Sequence, residues 1–281
     1  MQTAPVDRNR VAWSVTLFLA ITFAASYGLW MYAIVVPNSA WALLAGAFFP
    51  LLAALITVYA LKLPPAELGY RLPHQRFLIA AWVLPILWSL VAYAPAWLVP
   101  DFGGIAHSLR HASQPLLVVI SSAGLAVTLG ALEGAPAAAG EQFGWNGFLL
   151  PNLAKLFGDR RAIVLVGLIW ALWHYPLILA GPFHGFGPRW YELICFTLIS
   201  VNMGVVWGFF RLRSGSTWPS VVGAATGGVF VGTFCDQITG VTALSPWLTG
   251  QFGAFLVVTT GLVALFCWRN VDSPKHFIPG K

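Results

Sequence analysis

Apolar runs of about twenty residues follow one another from Val11 to Trp268, with only short loops between them. In hydrocarbon every backbone N–H and C=O must be paired within the segment, so such a run closes as a helix, and roughly 20 residues cover a core of about 30 Å. The runs are Val11 to about Val36, Trp41 to about Leu61, Phe77 to about Val99, Leu116 to Leu150, Ala162 to Ala180, Trp190 to Phe210, Thr217 to about Ile238 and Leu248 to Trp268. Pro37-Asn38-Ser39 is a tight turn between the first two. The first run is far longer than the roughly 7 to 15 residue core of a cleavable signal peptide, so it reads as an uncleaved span. The fold expected is an all-α polytopic membrane bundle of about eight transmembrane helices. It forms a single integral membrane domain over residues 1–281, with cytoplasmic tails at 1–10 and 269–281. A charged fraction of 9% agrees, since soluble domains carry about 25%.

The loop charges orient this bundle. With a cytoplasmic N-terminus the inner segments hold Arg8 and Arg10; Lys62, Arg71 and Arg76; Lys155, Arg160 and Arg161; Arg211 and Arg213; and Arg269, Lys275 and Lys281. Only Arg110 and Arg189 fall outside, as the positive-inside rule requires of a plasma (inner) membrane protein with both termini cytoplasmic. The net charge of +6 is thus dispersed over loops and makes no nucleic-acid patch; membrane lipid is the implied neighbour. Cys195, Cys235 and Cys267 are odd in number and sit in apolar runs, so they form neither a disulfide framework nor a CxxC metal site.

The run Leu116 to Leu150 is too long for one straight crossing, at about 50 Å against about 30 Å. Glu133-Gly134-Ala135-Pro136 offers a break, so the fourth helix is expected to be kinked or broken there. Its second half leads into Gly140-Glu141-Gln142-Phe143-Gly144-Trp145-Asn146-Gly147, which puts a carboxylate and two amides at membrane depth. Glu141 lies about 14 Å from the inner end of its span, and His174 about 18 Å from the same side in the next one. The two can meet. A carboxylate beside an imidazole activates water as a general base pair, and it equally serves as a buried hydrogen bond that fastens two helices.

Glu141-Gln142-Phe-Gly-Trp-Asn146-Gly-Phe-Leu-Leu-Pro151 resembles the first motif, Glu-Glu-x-x-x-Arg, of the CAAX-processing and bacteriocin-processing (CPBP) membrane endopeptidases, relatives of the type II CAAX prenyl endopeptidase. Trp170-Ala-Leu-Trp-His174-Tyr-Pro-Leu is similar to their second motif. Arg213-Ser-Gly-Ser-Thr-Trp218-Pro219 resembles the lead-in to the third, a His-x-x-x-Asn or Asp. The likeness covers about 116–268. It implies hydrolysis of a membrane-presented peptide or CAAX-type C-terminus, with a prenylated protein as substrate or partner. It makes Glu141 and His174 the catalytic pair and Gln142, Trp145, Asn146, Trp170 and Trp173 the substrate-binding surroundings. Zinc enters by the resemblance alone, because Glu141 and His174 supply at most two of the three protein ligands such a site needs. The third motif's histidine position holds Ala224 and its Asn position Gly228, while the second Glu is Gln142 and the Arg is Asn146. A catalytically degraded relative that binds a membrane peptide or protein partner is therefore the alternative function.

The remaining polar residues have quieter expectations. Glu192 pairs with Arg189 three residues earlier, Asp236 reaches the outer interface, and Thr226 bonds its own helix backbone. His184 belongs to an outer loop. Glu133, beside the proposed break, is placed to face the same cavity as Glu141.

Overall fold

The computed structural model describes residues 7–36, 38, 39 and 41–272. Residues 1–6 and 273–281, with Lys275 and Lys281, and Pro37 of the first turn lie outside the described residues. Helix α1 (Arg8–Val35) begins where the Asp7 carboxylate accepts from the backbone N–H of Asn9 and Arg10, each at 3.1 Å. Then come α2 (Trp41–Ala47), α3 (Phe49–Ala60), α4 (Gln75–Leu98), α5 (Pro115–Phe157), α6 (Asp159–Leu179), α7 (Arg189–Ser214), α8 (Trp218–Ile238) and α9 (Ala254–Asn270). Among the described residues no strand forms, only one isolated antiparallel bridge between Ile105 and Thr239. The chain is an all-α polytopic membrane bundle.

Six helices are long and apolar enough to cross a membrane, and α2 with α3 makes a seventh, bent by 42°. The expected eighth, 248–268, is instead the 17-residue α9 preceded by the short turn Ser245–Leu248, so it falls short of the others. The fourth run is not broken. α5 stays helical for 43 residues, with Pro136 inside it and wide π turns at Ala126–Gly130 and Phe143–Leu149. Extra residues in a π turn loosen the ladder locally, which lets a helix absorb a missing N–H without breaking. The sharp bend lies in the second span, where α3 starts at Phe49 with Pro50 as its second residue.

That bend fits against glycines of α5. A Cβ on Gly140 would lie 3.0 Å from the Ala47 carbonyl oxygen, and one on Gly144 only 2.6 Å from that of Pro50. The motif's glycines therefore let backbone approach backbone, as small residues do between membrane helices. A layer of aromatic rings fills the centre: Trp30 on Trp173 at 4.4 Å, Trp173 on Trp145 at 5.4 Å and Phe18 on Trp145 at 5.7 Å. α7 packs between α6 and α9, and α8 packs on α5 and α4.

Basic side chains gather at one end. Arg8 donates to the Leu156 carbonyl at 3.0 Å, Lys155 meets Glu67 at 2.7 Å, and Arg211 reaches the carbonyls of Glu67 at 2.7 Å and Asn146 at 3.2 Å. Arg213 bonds the Asn270 carbonyl and Arg160 meets Asp272, so both ends of the described chain lie at this same end of the bundle.

Candidate functional site

α5 and α6 run side by side and bring Glu141 and His174 to one place through Trp170. The Trp170 indole N–H donates to Glu141 Oε2 at 2.8 Å, while its carbonyl pairs with His174 Nδ1 at 3.0 Å, one helical turn on. A carbonyl only accepts, so Nδ1 carries the proton, and the ring in its neutral form has its lone pair on Nε2. The His174 ring is held edge-on by Trp173 at 4.7 Å, Phe196 at 5.1 Å and Trp170 at 5.2 Å. Acid and imidazole thus share a bridging tryptophan and no direct bond. Glu141 Oε1 and His174 Nε2 have no hydrogen-bond partner among the described residues.

Both side chains line a cavity of about 320 Å³ whose walls are otherwise mostly apolar: Trp88, Ala138, Phe196, Met203, Trp207 and Leu256 among them. Ala224 and Gly228 line it too. A Cβ at Gly228 would meet nothing within 4 Å, so the absent side chains leave open space instead of a repacked wall. The other lining residues that carry a neutral N–H donor are Gln251, from the loop between α8 and α9, and Trp88, Trp170 and Trp207. Sequence reasoning missed Gln251, Trp88 and Trp207. No local motif marks them, and only the packing of distant elements brings them to the site.

Of the residues expected to contact substrate, Trp170 lines the cavity, whereas Gln142, Trp145, Asn146 and Trp173 stand behind its wall. Asn146 Nδ2 donates to Gln142 Oε1 at 2.6 Å, so the neutral pair bonds across one turn of α5. Asn146 Oδ1 has no partner and adjoins a void of about 10 Å³ that Gln142, Trp145 and Trp170 also border. That volume is roughly the space one water occupies.

A zinc ion does not fit these residues. It needs three protein ligands and an open position. Glu141 and His174 are two, the positions of Ala224 and Gly228 offer no donor, and no group of three or more His, Cys, Asp or Glu among the described residues is arranged to hold a metal. His184 lies in a separate depression, its Nδ1 against the Gly185 carbonyl at 2.8 Å. Elsewhere, Glu192 accepts from Arg189 at 2.9 Å and from the Gly187 N–H at 3.0 Å, which pins the loop that carries Phe183 to the cavity. Asp236 accepts from the Tyr93 hydroxyl, and Thr226 donates to the Val222 carbonyl at 2.8 Å. Glu133 is exposed and is not part of the cavity lining.

Residues 123–226 match the sequence profile of the type II CAAX prenyl endopeptidase Rce1-like family, a stretch that includes Glu141, His174 and Ala224. The chain is also similar to a CAAX prenyl protease 2 of Methanococcus maripaludis, 32% identical over 82 residues, which is 28% of this chain. The alignment spans 30% of that relative's length. The family match falls on the helices that build the cavity, and over this stretch the chain is similar to the Rce1-like type II CAAX prenyl endopeptidase (CPBP) family.

Proposed function

We propose that the protein is a membrane endopeptidase of the CPBP kind that hydrolyses a membrane-presented peptide, such as a prenylated CAAX-type C-terminus, without a metal. The observation that carries this is the unpartnered pair of acceptors, Glu141 Oε1 and His174 Nε2, at the wall of one cavity. Water held between them gives a proton to the Glu141 carboxylate while its oxygen attacks the scissile carbonyl, and the same proton passes to the departing amine as the C–N bond breaks. Gln251 and the indoles of Trp88 and Trp207 are the neutral N–H groups that can face the oxyanion. Each well-placed donor of that kind is worth about 10² to 10³ in rate. With Ala224 and Gly228 in the third motif, turnover is slow.

Ala224 and Gly228 favour a second reading, a catalytically degraded relative that holds a membrane peptide or protein partner in the retained cavity. One experiment separates the two. Purified protein in lipid vesicles is given a quenched-fluorescence peptide with a prenylated C-terminus. Cleavage that Glu141→Ala abolishes supports the protease, and cleavage unchanged in that variant ends it. Peptide binding without cleavage, with turnover gained in Ala224→His/Gly228→Asn, transfers the assignment to the binding reading. The basic end of the bundle is the cytoplasmic one in this proposal, and the host bilayer is the plasma (inner) membrane.

A further inference from the structure

Glu133 has no role in the cavity, yet it is placed where a carboxylate costs most. It lies midway along the apolar run Leu116 to Leu150. Its neighbours Gly130 and Gly134 abut Val229 and Ala225 near the middle of α8, which sets it well inside the apolar length of the bundle. There it is exposed, between exposed Leu129, Leu132 and Pro136, on the span with the least buried surface of all the candidate spans. A charged group facing lipid at that depth is strongly disfavoured, and such residues pair with one another or line a path. The described residues provide no counter-charge: every Lys and Arg among them sits in a loop or in the end turn of a helix. The next residues along α5, Gly134 and Ala137, line the cavity, and Ala137 follows Glu133 by one turn on nearly the same face.

We propose that Glu133 is the anchor of a lateral docking site for a transmembrane helix that carries one basic side chain near its centre, held beside the cavity's flank. The inference deepens the reading above by naming the class of substrate or partner, a basic-centred membrane segment, although the docking itself does not require cleavage. A second copy of this chain is not the occupant proposed, since its spans lack the matching charge.

The test uses full-length Glu141→Ala protein in lipid vesicles, so that failure of the proposed hydrolysis cannot mimic failure of docking. Energy transfer is read from a labelled site on the protein to synthetic polyleucine helices bearing a central lysine, a central glutamate or leucine only. The lysine helix is expected to associate about tenfold more tightly than the other two, with Glu133→Gln abolishing the difference. An unchanged melting temperature certifies that this variant is folded. Equal association of the three helices, or a lysine preference that persists in Glu133→Gln, overturns the proposal. So does self-association of the protein that depends on Glu133 in the absence of any peptide.

Discussion

Trp170 shows how much of this site rests on one side chain. Its indole orients the carboxylate and its carbonyl sets the histidine tautomer, so Glu141 and His174 are aligned by a residue that need not react. Trp170→Phe keeps the ring against Phe196 and removes only the N–H. A hydrogen bond to a charged acceptor is worth about 1.5 to 3 kcal/mol, so kcat should fall roughly ten- to hundredfold while KM moves little. Steady-state kinetics checks it; an unchanged kcat with a lowered melting temperature would assign Trp170 to packing alone. The Gln142 and Asn146 pair makes the complementary case. Asn146→Leu strands the buried Gln142 amide at a cost of about 1 to 3 kcal/mol, whereas Gln142→Met with Asn146→Leu removes both partners and should recover most of the stability. Thermal unfolding of the two variants in one detergent decides this, and an additive loss would mean that the two amides act apart.

At the scale of helices, glycines divide into those that make contact and those that leave space. A methyl at Gly144 meets the Pro50 backbone, so Gly144→Ala should destabilise the bend by about 1 to 3 kcal/mol. Gly228→Ala, in open space, should leave the melting temperature unchanged, and equal losses in both would refute the division. The same contrast explains what could be read beforehand. The apolar runs, the charge alternation and the placing of Glu141 and His174 at one cavity, though not in direct contact, were legible because length, hydropathy and motif spacing act along the chain. No break forms at Pro136, where proline was weighed without its setting. Pro136, like Pro85, Pro95 and Pro176, is accommodated inside a helix, whereas Pro50 is the second residue of a new one. What separates them is tertiary: α5 presents glycines to the bend at Phe48, and nothing in the local sequence of the second run announces that partner. Gln251 escaped for the same reason, since its loop reaches the cavity only once α7, α8 and α9 have packed.

For the molecule as a whole, sidedness is the property on which the proposed substrate depends. Chain direction alternates so that residues 62–76, 155–161 and 211–213 share one end with both termini of the described chain, and the loop at 182–188 lies at the other. The cavity is lined on that second side by Phe183, Gln251 and Leu256. Positive charge is retained on the cytoplasmic face during insertion, so the first end should face the cytosol. The three native thiols are buried and should stay silent to a membrane-impermeant maleimide. Arg71 and Phe186 are both exposed, so a cysteine at either position should react once it meets the reagent. In intact cells Phe186→Cys should label and Arg71→Cys should not, and opening the membrane should expose the latter. The reverse pattern would place the basic end outside, and the cavity's Phe183 side would then face the cytosol.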